Sequence, residues 1–270
     1  MELFFHPMFL KHDAPGHPEN AKRLSLLKLD TYTEAKSGEK YLERVHSRDY
    51  VDMVRQASAA PALAHLDPDT YVNQYTYEAA CLAAGAAVQA AEKGGFALTR
   101  PPGHHAPFGG FCIFNNVVIA ARATGKRVFI IDWDAHHGNG TQALVRGDEK
   151  MMYFSTHQSP MYPGSGLESE GNAINVPLQP GAGDTEFLAA VDAMLKPALA
   201  EFQPELVAVS AGFDSYYKDA GMLTNMRLTA KSYEAVCELI RPYKRFFVLE
   251  GGYNPESVRD GVEAVLNFFK

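Results

Sequence analysis

The stretch DWDAHHGNG, residues 132–140, decides both the fold and the chemistry of this chain. It follows the short apolar run Val128–Ile131, which is typical of a buried parallel strand. Carboxylates and imidazoles therefore come directly after a strand, and in open α/β sheets ligands bind at the carboxyl ends of the strands. Asp134 and His136 are two residues apart, so an extended backbone turns both side chains to the same side.

Carboxylate oxygen and imidazole nitrogen are the ligands of a catalytic zinc or a similar divalent ion, so we predict that Asp134 and His136 bind one metal ion. A solvated loop rich in Asp and His is the alternative for this stretch taken alone. A catalytic zinc usually has three protein ligands and one open position. Asp214 follows another predicted strand after Gly212 and is the natural third ligand, its alternative role being an N-cap or turn carboxylate.

Helical and strand patterns alternate along the chain, which predicts one α/β domain over residues 1–270 with a mostly parallel central sheet and helices on both faces. The predicted helices are Ala21–Leu29, Arg48–Ala57, Tyr75–Lys93, Asn116–Ala123, Thr141–Arg146, Asp184–Phe202, Thr229–Tyr243 and Pro255–Phe268. The predicted strands are Leu3–Phe5, Phe96–Thr99, Val128–Ile131, Met151–Ser155, Ile174–Pro177, Leu206–Ser210 and Phe246–Leu249. Asp184 has the pattern of an N-cap, and Pro255 suits a first helical turn after Asn254. Residues 30–43 are polar and turn-rich and give the weakest indication of secondary structure.

The composition excludes several classes of protein. With 46% hydrophobic and 21% charged residues it is typical of a soluble globular protein, and the net charge of −7 argues against nucleic-acid binding. The three cysteines lack C-x-x-C spacing and suggest no disulfide framework. Neither a secretory leader nor an apolar run of membrane-span length is visible, so we expect a cytoplasmic protein that binds no membrane. The sequence leaves the oligomeric state open.

Five predicted strands are followed by titratable or hydrogen-bonding groups, most of them beside glycines. These segments are RPPGHH at 100–105, the 132–140 stretch, Thr156-His157, AGFD at 211–214 and EGGY at 250–253. Because the carboxyl ends of parallel strands lie on one edge of a sheet, we expect these groups to converge.

Paired imidazoles beside an activated water suit general base and general acid catalysis near neutral pH, which is the role we predict for His104 and His105. Their alternatives are a metal ligand or a core histidine. Asp132 can hydrogen-bond one ring and Asn139 the other, which would give the two rings different proton affinities. Tyr253 follows two glycines and can stabilise an oxyanion, with a packed aromatic as the alternative. Together these groups predict metal-assisted hydrolysis of an amide.

These motifs together resemble the histone deacetylase superfamily, within the arginase/deacetylase fold. The resemblance covers nearly the whole chain, and residues 100–105 with Asn139 are similar to class II enzymes and bacterial deacetylase-like amidohydrolases. The segments that carry it are His17-Pro18-Glu19 with Arg23, Asp69-Thr70-Tyr71, Arg100–Ala106, Gly110–Asn116, Asp132–Gln142, Ser155, Pro163–Gly166, Ser210–Asp214 and Leu249–Asn254.

The resemblance implies a role for each matching position. It implies zinc, or iron(II) in vivo, on Asp134, His136 and Asp214. It implies that His104 and His105 flank the attacking water with Asp132 and Asn139 behind them, and that Tyr253 polarises the acetyl carbonyl. Gly110, Phe111 and Tyr162 would line the substrate tunnel, and Arg23 would border an internal acetate pocket. A structural potassium ion would use Asp132, main-chain oxygens of Asp134 and His136, and Ser155.

The implied reaction is hydrolysis of N-acetyl-lysine in a protein or peptide, or of a similar acylated primary amine, with release of acetate. An acetylpolyamine amidohydrolase is the alternative, although the extra N-terminal loop typical of those enzymes is absent before residue 60. A non-catalytic acyl-lysine-binding module is a further alternative, which the complete set of site residues disfavours. Tyr162 replaces the more usual Phe. Asp13, Glu19, Asp67 and Asp69 are candidates for an acidic rim.

Overall fold

A computed structural model describes all residues, 1–270. Its centre is an eight-stranded sheet in which every neighbouring pair of strands is parallel. The strands, in the spatial order β2-β1-β5-β10-β9-β6-β7-β8, are β1 Leu3–Phe5, β2 Thr33–Glu34, β5 Phe96–Ala97, β6 Val128–Asp132, β7 Met151–Gln158, β8 Ala173–Leu178, β9 Leu206–Ala211 and β10 Arg245–Leu249. A separate antiparallel hairpin pairs β3 Ala64–Asp67 with β4 Thr70–Val72. The predicted fold class is therefore confirmed.

Helices cover this sheet, whose strands β6 and β9 are buried along their whole length because both faces are packed. α2 (Thr76–Lys93) packs on β10, β5 and β1 and beside α3 (Asn116–Thr124), while α7 (Ala230–Ile240) and α8 (Pro255–Phe268) form a second packed pair. No helix combines the length and the apolar surface that a membrane span requires. The helices are α1 Arg48–Ser58, α2 Thr76–Lys93, α3 Asn116–Thr124, α4 Asn139–Val145, α5 Asp184–Ala190, α6 Lys196–Phe202, α7 Ala230–Ile240 and α8 Pro255–Phe268.

Tertiary contacts changed some of the predicted elements. The helix predicted over Ala21–Leu29 is wrong, since only a 3₁₀ turn, Ala21–Leu24, forms where Arg23 is drawn into a buried ion pair. The helix predicted over Asp184–Phe202 contains a π-helical turn at Val191–Leu195, just before Pro197, which cannot donate the next helical hydrogen bond. The two-residue strand β2 and the hairpin were missed because such short strands leave almost no periodic pattern.

The predicted N-caps had different outcomes. Asn254 caps α8, with Pro255 as its first residue, as predicted. The N-cap assignment of Asp184 is wrong, because Gly183 holds that position. The Asp184 carboxylate instead accepts hydrogen bonds from the main chain and hydroxyl of Thr229, at 2.8 and 2.7 Å, and so holds the start of α7.

Buried His46 makes the stability of the fold depend on pH. Its Nε2 accepts the Asn115 N–H at 2.9 Å, and its Nδ1 has no partner. Burial, with a smaller contribution from Arg122, lowers the pKa of His46 to about 4. Between about pH 6.5 and 4, His46 is therefore protonated in the unfolded chain but neutral in the folded chain. The free energy of unfolding falls as the pH falls through that range.

We expect His46→Gln to remove this dependence, because an amide oxygen can accept the same N–H and does not titrate. Between pH 7 and pH 5 the unfolding free energy of the variant should fall by about 2 kcal/mol less than that of the wild type. Urea unfolding of both proteins at the two pH values measures the difference. Parallel losses in the two proteins would contradict the prediction.

Candidate active site

The segments that follow the central strands are joined to one another at the carboxyl edge of the sheet. Gly251 N, after β10, donates to Asp134 Oδ2 at 2.8 Å, and Ala135 N donates to Asp214 Oδ1, after β9, at 2.8 Å. A Cβ at Gly212 would collide with the Asp134 carboxylate, so glycine at this position allows β9 to approach the segment after β6.

Asp134, His136 and Asp214 form a buried cluster whose ligand atoms all lie within 4.8 Å of one another. His136 Nδ1 is 2.8 Å from Asp214 Oδ2 and 3.1 Å from Asp134 Oδ1. Burial and the charge of Asp134 raise the pKa of Asp214, since two buried carboxylates repel each other. Two carboxylates and one imidazole nitrogen converging in a buried site are a donor set that suits a divalent cation, which would relieve that repulsion.

His104 and His105 lie side by side, with ring centroids 4.1 Å apart. Asp132 Oδ2 lies 3.1 Å from His104 Nδ1, and Asn139 Oδ1 lies 2.8 Å from His105 Nδ1. Burial works against a charged His104, but Asp134 and Asp132 outweigh it and raise its pKa to about 10. Burial, together with the neighbouring His104, lowers the pKa of His105. Only His105 of the pair lines the cavity described next.

A cavity of about 360 Å³ reaches the surface beside the cluster, and His136 is the cluster member that lines it. His105, His136 and Tyr253 lie on its walls together with the three predicted tunnel residues, Gly110, Phe111 and Tyr162. The Phe111 ring lies edge-on to Tyr253 at 5.8 Å, and the Tyr162 ring edge-on to His105 at 5.2 Å. Tyr162 is 45% exposed, so it belongs to the mouth.

Backbone geometry keeps this cavity open. A Cβ at Gly110 would lie 2.6 Å from the His105 ring and 2.9 Å from the Tyr162 hydroxyl, so any larger residue would narrow the passage. Phe111 has φ of +68°, a conformation that is costly for a residue with a side chain. Thr70 Oγ1 accepts the Phe111 N–H at 3.1 Å and helps to hold it there.

Ser155 is a predicted ligand of the monovalent cation. It lies in register with Asp132 on the neighbouring strands β7 and β6. Its hydroxyl hydrogen-bonds His157 Nδ1 at 2.9 Å. Sequence reasoning missed Tyr153, whose hydroxyl donates to Asp132 Oδ2 at 2.9 Å and so helps to orient the partner of His104. The apolar start of β7 offered a signal that Tyr153 is buried but none for its partner.

Glu250 is a second residue whose role the sequence did not reveal. It is fully buried, and its carboxylate accepts the N–H groups of Gly103 at 2.8 Å and His104 at 3.2 Å. Burial raises its pKa to about 7. Its position directly after β10 was the available signal, and its function is to hold the turn that presents the histidine pair.

Arg23 lies beneath the segment that carries Tyr253. Its Nε donates to Gly252 O at 2.5 Å, its Nη2 donates to Glu250 O, and its Nη1 pairs with Glu19 Oε1 at 2.8 Å. Glu19 is fully buried and also binds Arg100 through both carboxylate oxygens. The prediction that Glu19 contributes to an acidic rim is therefore wrong, because a carboxylate enclosed by two arginines cannot face the solvent.

The same architecture occurs in known proteins. A model of the histone deacetylase domain matches residues 17–269. A probable deacetylase of Archaeoglobus fulgidus is 36% identical over 94% of this chain and 81% of its own length. Histone deacetylase 14, chloroplastic, of Arabidopsis thaliana is 34% identical over 94% of this chain and 73% of its own length. The crystal structure of the HDA15 HD domain matches with a TM-score of 0.91 and 32% identity, over 99% of this chain and 90% of that chain.

The family model and these relatives extend over nearly all of the chain, including every strand end that contributes to the cavity. The chain therefore belongs to the histone deacetylase family.

Proposed function

We propose that this chain hydrolyses the amide of N-acetyl-lysine in proteins or peptides, or of a similar acylated primary amine, in a zinc-dependent reaction that releases acetate. Membership of the family makes it a hydrolase of the deacetylase type. The observation that carries the proposal is the buried cluster of Asp134, His136 and Asp214, which borders an aromatic-walled cavity through His136. We further propose that residues 1–270 act as one catalytic domain.

The proposed metal ligands are Asp134, His136 and Asp214, and zinc or iron(II) suits their donor atoms. The metal, when bound, polarises the acetyl carbonyl and makes water a stronger nucleophile. The glycines at 212 and 251 allow the two carboxylates to approach each other, and the main-chain N–H groups fix the direction of both.

We assign proton transfer to His105, since its ring lines the cavity. If its Nδ1–H donates to Asn139 Oδ1, its Nε2 is left with a lone pair that can take a proton from water and later give it to the leaving amine. His104 lies behind it, with Nε2 3.7 Å from Asp134 Oδ1, and its bond to Asp132 favours the protonated ring. We assign it the task of keeping positive charge beside the reacting atoms.

Tyr253 is proposed to donate its hydroxyl hydrogen to the carbonyl oxygen as negative charge develops there. Its ring borders the cavity beside Phe111, and its centroid lies 6.5 Å from that of the His136 ring. A structural potassium ion is proposed at Asp132, Ser155 and the main-chain oxygens of Asp134 and His136. We propose that Arg23 borders an internal acetate pocket next to the main-chain oxygens of Glu250 and Gly252, which it binds.

The walls of the cavity favour an unbranched apolar linker between the acyl group and the rest of the substrate, since aromatic surface stabilises buried methylenes. Acetyl-lysine and acetylated polyamines both carry such a linker. Asp69 is exposed at the mouth and Asp67 lies beside it, with Oδ1 3.0 Å from Asp69 N. These carboxylates can attract a cationic substrate, but they do not enclose it. We therefore favour acetylated lysine in a peptide or protein.

We expect kcat/KM for acetyl-lysine peptides to equal or exceed that for acetylputrescine and acetylspermidine. The measurement is a side-by-side turnover assay at one moderate salt concentration, because attraction by surface carboxylates is screened by salt. If the acetylpolyamines react better by more than about tenfold, or about 1.4 kcal/mol, the polyamine alternative replaces this proposal. Binding of these ligands without any turnover would favour the non-catalytic module.

We propose the cytoplasm as the compartment, which agrees with three buried cysteines that form no disulfide. The proposed partners are acetylated proteins, peptides or small amines, without nucleic acid or membrane.

A further inference from the structure

The backbone before Tyr253 does not fix the direction of the phenol by itself. Gly251 and Gly252 precede it, and Gly252 has φ of +114°, in the region that favours glycine. Tertiary contacts must therefore set the position of this segment. Asp134 holds the main chain of Gly251 and Arg23 that of Gly252, two residues and one residue before the tyrosine, and the Arg23 guanidinium also lies over the Tyr253 ring, 5.2 Å from its centroid.

Asp219 binds the main chain of the tyrosine itself. Its carboxylate is fully buried and accepts the Tyr253 N–H at 3.1 Å through each oxygen, and the Asn254 N–H at 3.0 Å. A second bond, from Asn254 Nδ2 to Lys218 O at 2.7 Å, fastens the same two segments together. Asp219 lies five residues after Asp214, so one loop carries both a proposed metal ligand and the anchor of the proposed oxyanion donor.

Hydrogen bonds offset part of the cost of burying the Asp219 carboxylate. Burial raises its pKa, while the Asn254 and Tyr253 N–H groups act in the opposite direction. These N–H groups open α8, where the helix dipole also favours a negative charge. The Asp219 carboxylate thus binds the main chain of residues 253 and 254 through more than one charge-assisted hydrogen bond. An amide of the same shape would present an NH2 group to at least one of these donors.

We propose that Asp219 is a positioning residue that fixes the Tyr253 phenol in the cavity through the main chain of residues 253 and 254. The inference rests on the proposed role of Tyr253 and names a residue that supports this role. If Asp219 only stabilised the fold, its replacement would affect folding or metal content. If Asp219 positions Tyr253, its replacement lowers kcat only when the tyrosine hydroxyl is present.

The test is a double-mutant cycle of Asp219→Asn and Tyr253→Phe with an acetyl-lysine peptide. We expect Asp219→Asn to lower kcat about tenfold with KM changed less than about twofold, and to have almost no effect on kcat once the hydroxyl is absent. Zinc content should stay at the wild-type level. Hydrogen exchange should become faster in the peptide that contains residues 250–257, because an acceptor of these N–H groups is replaced by an NH2 group.

An equal fractional loss of kcat in both backgrounds would overturn the inference, as would wild-type kcat in Asp219→Asn. If Tyr253→Phe itself retains wild-type kcat, the proposed role of Tyr253 fails first, and the cycle separates that result from a failure at Asp219. If Asp219→Asn does not fold, Asp219→Glu keeps the charge but displaces it by one methylene. The same cycle then applies with the same two outcomes.

Discussion

Asp214→Ala and His136→Ala are expected to abolish turnover of an acetyl-lysine peptide and to lower the zinc content of the purified protein. Each change removes one of three converging ligand atoms, and the remaining pair cannot hold the ion in the same geometry. Peptide turnover and metal analysis of the same samples check the two effects together. Stoichiometric zinc with normal turnover in either variant would refute the assignment of the ligands.

A matched variant separates loss of the metal from loss of the fold. Asp214→Asn keeps an oxygen that can accept the Ala135 N–H but removes a negative charge that lies beside Asp134. We expect a chelator to lower the Tm of the wild type, because a ligand that binds only the folded state stabilises it, and to leave the Tm of the variant nearly unchanged. Equal Tm shifts in the two proteins would show that the metal binds elsewhere.

Tyr253→Phe is expected to lower kcat by about 10²–10³-fold while zinc stays bound. The hydroxyl is the only group removed, and an oxyanion donor acts mainly in the transition state, so KM should change much less than kcat. Steady-state kinetics and metal analysis measure both quantities.

The matched control for this variant is Tyr77→Phe, which makes the same chemical change outside the cavity. The Tyr77 hydroxyl donates to Glu39 Oε1 at 2.8 Å near the surface. We expect this control to keep wild-type kcat. A Tyr253→Phe variant as active as the control would exclude Tyr253 as the oxyanion donor and would leave the metal assignment intact.

Strand positions and the residues that follow the strands could be predicted because both follow from local chemistry. The apolar runs that became β6, β9 and β10 are buried on both faces, and the rule that parallel strands end on one edge brings their next residues together. The pairing of His104 with Asp132 and of His105 with Asn139 follows from the same rule, because Asp132 ends β6 and Asn139 begins the helix that follows it.

Short elements and helix ends were less predictable, because single contacts decide them. The turn at Ala21–Leu24 does not continue as a helix, and Arg23 within it is committed to Glu19 and to the main chain before Tyr253. Asp184 has the sequence of an N-cap, yet its carboxylate binds Thr229 on a distant segment. In both cases a charged side chain binds partners that are distant in sequence.

The sequence by itself determined the parallel α/β fold and the residues that gather at its carboxyl edge, since both depend on periodicity and on chain direction. Only the tertiary structure decided which of them line the cavity and what holds them there. Glu250 reaches the main chain of His104, and Asp219 reaches that of Tyr253. These contacts join residues 146 and 34 positions apart, and no local pattern encodes them, because a buried carboxylate binds whichever N–H groups the packing brings within reach.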